Sequence, residues 1–137
     1  MDIWDTAGQE KHRALAKIFY KNSKAFLLVY DITNKKSFEE INNYWYEQVK
    51  ESRDKDTILA LVGNKNDLIN KKDVSEEDAE EFAKSIGAIF ALTTATNYNS
   101  INVLFESIAK KILESTNDKK FMKLKTQKEK KKDCCKV

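Results

Sequence analysis

Glycine occurs only at positions 8, 63 and 87, and none of the three is followed by lysine; the pairs are Gly8-Gln9, Gly63-Asn64 and Gly87-Ala88. The phosphate-cradling pattern G-x-x-x-x-G-K-[ST] is therefore absent from the sequence. Proline is absent altogether. The only two cysteines, Cys134 and Cys135, are adjacent in a polar tail. That placement excludes a disulfide framework, and a reducing, cytosolic compartment is the expectation. No run of about 18 apolar residues occurs, so no transmembrane helix is read. The first residues lack the basic-then-apolar pattern of a secretory signal. Histidine is single, His12, and one imidazole is neither a metal cluster nor a catalytic dyad.

What is present suits one globular domain: 137 residues, 41% of them hydrophobic. The net charge of +3 is unevenly spread. Residues 118–137 hold nine lysines against three acids, so a basic tail follows a mildly acidic body. Such a tail suits an acidic surface. With Phe121 as its only aromatic residue and no basic face identifiable in the body, nucleic acid is not the expected partner.

Three continuous apolar runs read as strands buried on both faces: Ala25–Tyr30, Ile58–Val62 and Ala88–Leu92. Helical stripes lie between and after them. Phe38, Ile41, Trp45 and Val49 form one, Ala79, Phe82, Ala83 and Ile86 a second, and Ile101, Leu104, Phe105, Ile108 and Ile112 a third. Ser75 with Asp78 resembles a capping box, and Gly87 stands where a left-handed C-cap is expected. Ser37, and Asn99 or Ser100, are the expected N-caps of the other two helices. Strand and helix in alternation imply an α/β fold with a parallel sheet and right-handed crossovers. Ligands of such sheets bind at the carboxyl ends of the strands. The loops to inspect thus follow Trp4, Tyr30, Val62 and Leu92.

Two of those loops carry chemistry. In Gly63-Asn64-Lys65-Asn66-Asp67-Leu68 a carboxylate can accept two parallel N–H bonds from one edge of guanine. Adenine offers a different pattern, so such a site discriminates strongly. Asn64 can hold neighbouring loops, and the Lys65 stem can cover the base. In Asp5-Thr6-Ala7-Gly8-Gln9, Asp5 at a strand end can hold Mg²⁺ through water, Gly8 lets a backbone N–H approach a terminal phosphate, and Gln9 can orient an attacking water. Each stretch alone reads equally well as a polar turn. Their joint occurrence, in this order and each at a strand end, makes coincidence a poor explanation.

"IWDTAGQE", "YDIT" and "GNKNDL" resemble the small GTPases and, more narrowly, the Rab family, nearly letter for letter. "RALAKIFYKNSKAFLLVYDIT" is similar to the family's switch II and the strand after it, and "TTATNYNSINVLF" resembles the endosomal subgroup. The resemblance covers residues 2–115 and the terminal cysteines. It implies a partial P-loop NTPase G domain over residues 1–115, a mostly parallel sheet flanked by helices but missing the central P-loop strand. A disordered basic tail over 116–137 completes the expected organisation. It further implies a parent that binds GTP or GDP with Mg²⁺ and hydrolyses GTP. The site residues carried over are Gln9 for catalysis, Gly8, Asn64, Lys65, Asp67, Thr94 and Ala95 for the nucleotide, and Asp5 for the metal. Effector, exchange-factor and activating proteins would meet the switch II region.

The chain also departs from the family. Its guanine-capping loop usually reads T-S-A-K, and here it is Thr93-Thr94-Ala95-Thr96. Lys11-His12 replaces the usual Arg and aromatic residue of a partner-reading surface, with His12 taken as an exposed switch residue. The missing phosphate loop removes its nest of N–H groups, its Lys and its Mg²⁺-holding Ser or Thr, and the switch I threonine is missing too. The resemblance places all of these before the strand ending at Trp4. The expectations are that the sequence is a fragment or a mis-started gene model, that it hydrolyses no GTP as it stands, and that alone it folds poorly or exposes an apolar groove. The alternative is a naturally truncated, non-hydrolysing, membrane-tethered binding module. Transcript sequence upstream of Met1 separates the two.

The last residues, Lys130 to Val137, place Cys134 and Cys135 near the end behind a run of lysines. This resembles a Rab prenylation site. Two lipid chains anchor stably where one does not, and lysines add attraction to anionic lipid. Lys136 fits a single C-a-a-X box poorly, which favours double geranylgeranylation. The resemblance then implies the cytoplasmic face of endomembranes, endosomal in type, with cycling through the cytosol, and a role in vesicle and membrane traffic.

Overall fold

The computed structural model describes residues 2–5, 20 and 23–133, with side chains as far as Thr116. Gly8, Gln9, the Lys11-His12 pair, Cys134 and Cys135 lie outside the described residues. Strands β1 (Ala25–Asp31), β2 (Ile58–Asn64) and β3 (Ile89–Leu92) form a parallel sheet in the order β1-β2-β3. Each corresponds to one of the three apolar runs. Pairing sets Ala25 opposite Ile58 and Asp31 opposite Asn64, and continues with Ala60 opposite Ile89 and Gly63 opposite Leu92. All three strands therefore end together. Among the described residues, β1 is an edge strand.

The period of two along each strand divides the core into two layers. Leu28, Tyr30, Leu59 and Leu61 pack on one side with Ile41, Val49, Ala79, Ala83 and Ile86. Ala60 and Val62 pack on the other with Leu104 and Ile108. Helices α1 (Lys35–Glu40) and α2 (Tyr46–Ser52), joined by one wide π-type turn (Ile41–Trp45), cover the first face together with α3 (Glu76–Ile86). Helix α4 (Tyr98–Asp133) covers the second. Val29, on the second face of β1, is left 52% exposed.

The ends of α3 follow its sequence signals. Ser75 Oγ accepts the Asp78 N–H at 3.3 Å. Gly87 turns left-handed at φ 69°, and its N–H reaches back to Ala83 and Lys84 carbonyls. The other two caps differ from expectation. Helix α1 begins three residues earlier than a Ser37 cap requires, because Ser37 Oγ is engaged elsewhere: it accepts the Asp31 N–H at 3.0 Å and donates to the Asn34 carbonyl at 2.7 Å. Helix α4 begins at Tyr98 and is capped by Asn97, whose Oδ1 accepts the Asn99 N–H at 3.0 Å. Its backbone runs on past Ser115 to Asp133. No Gly or Pro interrupts that stretch, and Lys, Glu, Gln, Leu and Met are good helix formers.

Gly63 is needed for space rather than for backbone freedom. A Cβ there would stand 2.7 Å from Leu92 Cδ2 and 2.8 Å from Tyr30 Oη. Tyr30 is buried and held in the core, so relief of the clash would have to come from the half-buried Leu92 side chain. Gly63→Ala is expected to cost about 1–3 kcal/mol by overpacking. A lowered urea midpoint at unchanged slope is the measurement, and an unaltered midpoint would show that the strand ends are loosely packed.

Tyr30 itself is only 2% exposed. Burial, with the Glu76 carboxylate second, pushes its phenol up from 10.0 to about 12. The folded state thus holds the phenolic proton more tightly than the unfolded chain does. The stability this contributes is intact below about pH 10 and is lost as pH climbs toward about 12, a loss of roughly 2–3 kcal/mol. Urea unfolding along an alkaline series should show that fall in the parent chain and much less of it in Tyr30→Phe.

Candidate functional site

Three loops converge where the strands end. Immediately after β2, Lys65 adopts a left-handed conformation at φ 64° and ψ 35°. For a residue with a Cβ this costs about 1–2 kcal/mol. Such strain persists where surrounding bonds impose it. They are present here: Asn66 N–H donates to the Thr93 carbonyl at 3.0 Å, Leu68 N–H to the Lys65 carbonyl at 2.8 Å, and Thr93 N–H to the Gly63 carbonyl at 2.8 Å. The reversal starts a short 3₁₀ helix (Asn66–Lys71), with Asp67 in its first turn.

Asn64 joins all three loops. Its carbonyl accepts the Ile32 N–H at 3.1 Å, and its Oδ1 accepts the Thr93 hydroxyl at 3.4 Å. Ile32, fully buried, also accepts the Asp73 and Val74 N–H groups, which closes the loop after Asp67 back onto β1. Lys65 turns its ammonium to Asp31 Oδ2 at 2.5 Å. Asp31 Oδ1 accepts both the N–H and the hydroxyl of Thr33, at 2.8 and 2.7 Å. The Lys65 ammonium, followed by these Thr33 bonds, holds the Asp31 carboxyl below its ordinary range despite partial desolvation. Lys65 is thereby tethered to the end of β1.

The loop after β3 supplies the other wall. Thr94 is buried and its hydroxyl donates to Asp67 Oδ1 at 2.5 Å. Thr94 N–H donates to Ser100 Oγ at 3.3 Å, on the first turn of α4. Asp67 Oδ2 accepts no hydrogen bond among the described residues and the residue is exposed; the Ala95 N–H is likewise outside the loop's hydrogen bonds. The two loops thus offer an anchored carboxylate and, one residue on from its Thr94 anchor, an open N–H donor. Guanine presents two adjacent donors on one edge and a carbonyl oxygen next to them, which is the complementary set. Adenine presents an acceptor where guanine has its ring N–H.

Of the residues singled out in the sequence, the structure places Asn64, Lys65, Asp67, Thr94 and Ala95 on hydrogen-bonded loops at the carboxyl ends of β2 and β3. Asp5 is described and exposed, and residues 2–5 form no strand, so Asp5 does not stand at the strand end expected for it. Among the described residues no cluster of three His, Cys, Asp or Glu side chains occurs. Four contributors were not assigned from sequence: Asp31, Thr33, Thr93 and Ser100. The sequence does hint at three of them, in a strand-terminal acid followed by threonine and in hydroxyls crowded at 93–96. A separate cleft lined by Arg53, Thr57, Ile86 and Lys111 lies at the amino ends of the strands, the end such sheets leave unused.

A Ras family model matches residues 1–114. The Ras-related protein Rab-22A of Homo sapiens is 40% identical over 138 residues, covering 97% of this chain and 71% of the relative. Rab-22A of Canis lupus familiaris is 44% identical over 110 residues, covering 80% and 56%. Rab-21 of Geodia cydonium is 43% identical over 113 residues, covering 82% and 49%. The chain therefore spans between about half and seven tenths of the length of these relatives.

Proposed function

The chain belongs to the Ras family, and from that premise we propose that it supplies the base-selecting part of a Rab-type guanine-nucleotide switch. The observation that carries the reading is the Asp67 carboxylate, anchored on one oxygen by Thr94 and open on the other, beside the free Ala95 N–H. The relatives named Rab-22A and Rab-21 support the Rab assignment.

In this reading Asp67 and Ala95 grip the edge of the base, and Lys65 lies over its flat face while Asp31 holds its ammonium. Asn64 fixes the three loops against one another. Gly8 and Gln9 face the terminal phosphate, Gln9 orienting the attacking water. Asp5 is the residue that would hold Mg²⁺, through water; bound there, the ion would neutralise phosphate charge. In the whole protein GTP hydrolysis ends the signal, with an arginine supplied by an activating protein contributing about 10³–10⁵ in rate. Residues 1–115 form the nucleotide-dependent domain, and effectors and exchange factors engage it through switch II. Residues 116–137, prenylated at Cys134 and Cys135, hold it to the cytoplasmic face of endosomal-type membranes, where it regulates vesicle traffic.

The base-selection claim is tested on the chain as it stands. Guanosine, adenosine and their diphosphates are titrated against it and followed by amide NMR shifts. Guanosine is expected to perturb Asn64–Asp67 and Thr94–Thr96 at concentrations where adenosine does not. Equal response to both bases would overturn the reading. Membrane attachment is tested separately, by intact mass of protein recovered from its native cell; an unmodified mass counts against it.

A further inference from the structure

Thr96 replaces the lysine usual at its position, and the structure gives its hydroxyl a partner. Thr96 Oγ1 lies 2.8 Å from Thr94 Oγ1, and the Thr96 N–H reaches the same oxygen at 3.2 Å. Thr94 Oγ1 is in turn 2.5 Å from Asp67 Oδ1. The direction of these bonds follows from the number of protons available. An ionised carboxylate can only accept, so the single proton of the Thr94 hydroxyl goes to Asp67. Thr94 can then only accept from Thr96, and its two lone pairs take the Thr96 O–H and N–H. Nothing in this short network is left free to rotate.

We propose that Thr96 is a positioning residue for base selection: its hydroxyl fixes the Thr94 hydroxyl, which holds the Asp67 carboxylate in the plane that the base edge must meet. The inference rests on Asp67 being the base-gripping group. A hydroxyl that accepts two bonds is polarised and donates the third more strongly. The lysine usual at this place has no acceptor atom and brings a cation, so this chain reaches an ordered carboxylate by a different route. Thr96 is exposed, so its role lies in orienting the network and not in filling the core. Thr94 N–H is tied to Ser100 on α4, which keeps the loop in place when the Thr96 hydroxyl is removed.

The test compares guanosine and adenosine affinities of the full chain with those of Thr96→Val, Thr96→Ser and Thr94→Val, by the same amide-shift titration. Valine keeps the volume and the N–H contact and deletes only the hydroxyl. Thr96→Val is expected to lower the guanosine-to-adenosine ratio about three- to tenfold, the equivalent of one net hydrogen bond. Thr96→Ser should restore it, and Thr94→Val should fall at least as far as Thr96→Val. Undisturbed amide spectra outside residues 64–68 and 93–97 would show that the fold is retained in each variant. A Thr96→Val ratio equal to that of the parent chain sinks the proposal and leaves the guanine reading standing. Failure of serine to rescue also sinks it, since the hydroxyl would then not be the cause. If the parent chain itself does not prefer guanosine, the guanine reading fails first and the proposal falls with it.

Discussion

Asp67→Asn is expected to invert base choice while leaving the fold intact. In the parent chain Asp67 Oδ1 is committed to the Thr94 hydroxyl. An amide at that place has one oxygen and one NH₂ group. The Thr94 proton still needs an acceptor, so the amide oxygen turns to it and the NH₂ faces the cleft. Guanine brings donors to that edge, and donor now meets donor. A base carrying a carbonyl oxygen where guanine carries its exocyclic amine, as xanthine does, restores the match. The ratio of guanosine to xanthosine affinity should fall by about 10²–10⁴, since each reversed contact leaves a polar group unpaired at about 1–3 kcal/mol. Competitive titration with the two nucleosides measures it. An unchanged ratio would remove Asp67 from the site. Urea unfolding should change little, because Asp67 is exposed and its bond to Thr94 is replaced rather than lost.

Strands β1, β2 and β3 were legible in the sequence because continuous apolar runs have few alternatives in an α/β chain of this size, whereas residues 2–5, read as a strand end without such a run, form no strand. Ser75 and Gly87 were equally legible, since each acts on backbone groups within four residues of itself. What escaped reading depends on residues far apart in the chain. The Thr94 hydroxyl meets a carboxylate 27 positions earlier. The Lys65 ammonium meets Asp31 across two parallel strands whose ends are level only because of the register Asp31 to Asn64. Ser37 looked like an N-cap from its local sequence, yet the end of β1 claims its hydroxyl first. The wide turn at Ile41–Trp45 has no sequence mark at all, for neither Gly nor Pro lies near it. Gly63 shows the same division: that it sits in a strand end was readable, but the approach of Tyr30 and Leu92 that makes it glycine was not.

Ile108→Ala should be the most damaging change on the second face of the sheet. Ile108 is 1% exposed and packs with Ala60, Val62 and Leu104. Among the described residues, no helix other than α4 contributes a side chain to that cluster. Truncation leaves a cavity between a helix and a sheet, and neither element can collapse to fill it. The expected loss is about 2–5 kcal/mol, against a total of about 5–15 kcal/mol for a domain of ordinary stability. Lys110→Ala, on the exposed side of the same helix, should stay within about 0.5 kcal/mol. Denaturant unfolding of the two variants compares them directly. The consequence extends to the site, because the Thr94 N–H is anchored on Ser100 and the Ser100 N–H on the Asn97 carbonyl. Loosening α4 therefore loosens the wall that orients Asp67. Ile108→Ala should weaken guanosine binding in the native population while Lys110→Ala does not. Equal stability of the two variants would mean that α4 is not docked by its apolar stripe, and the second core layer would have to be redrawn.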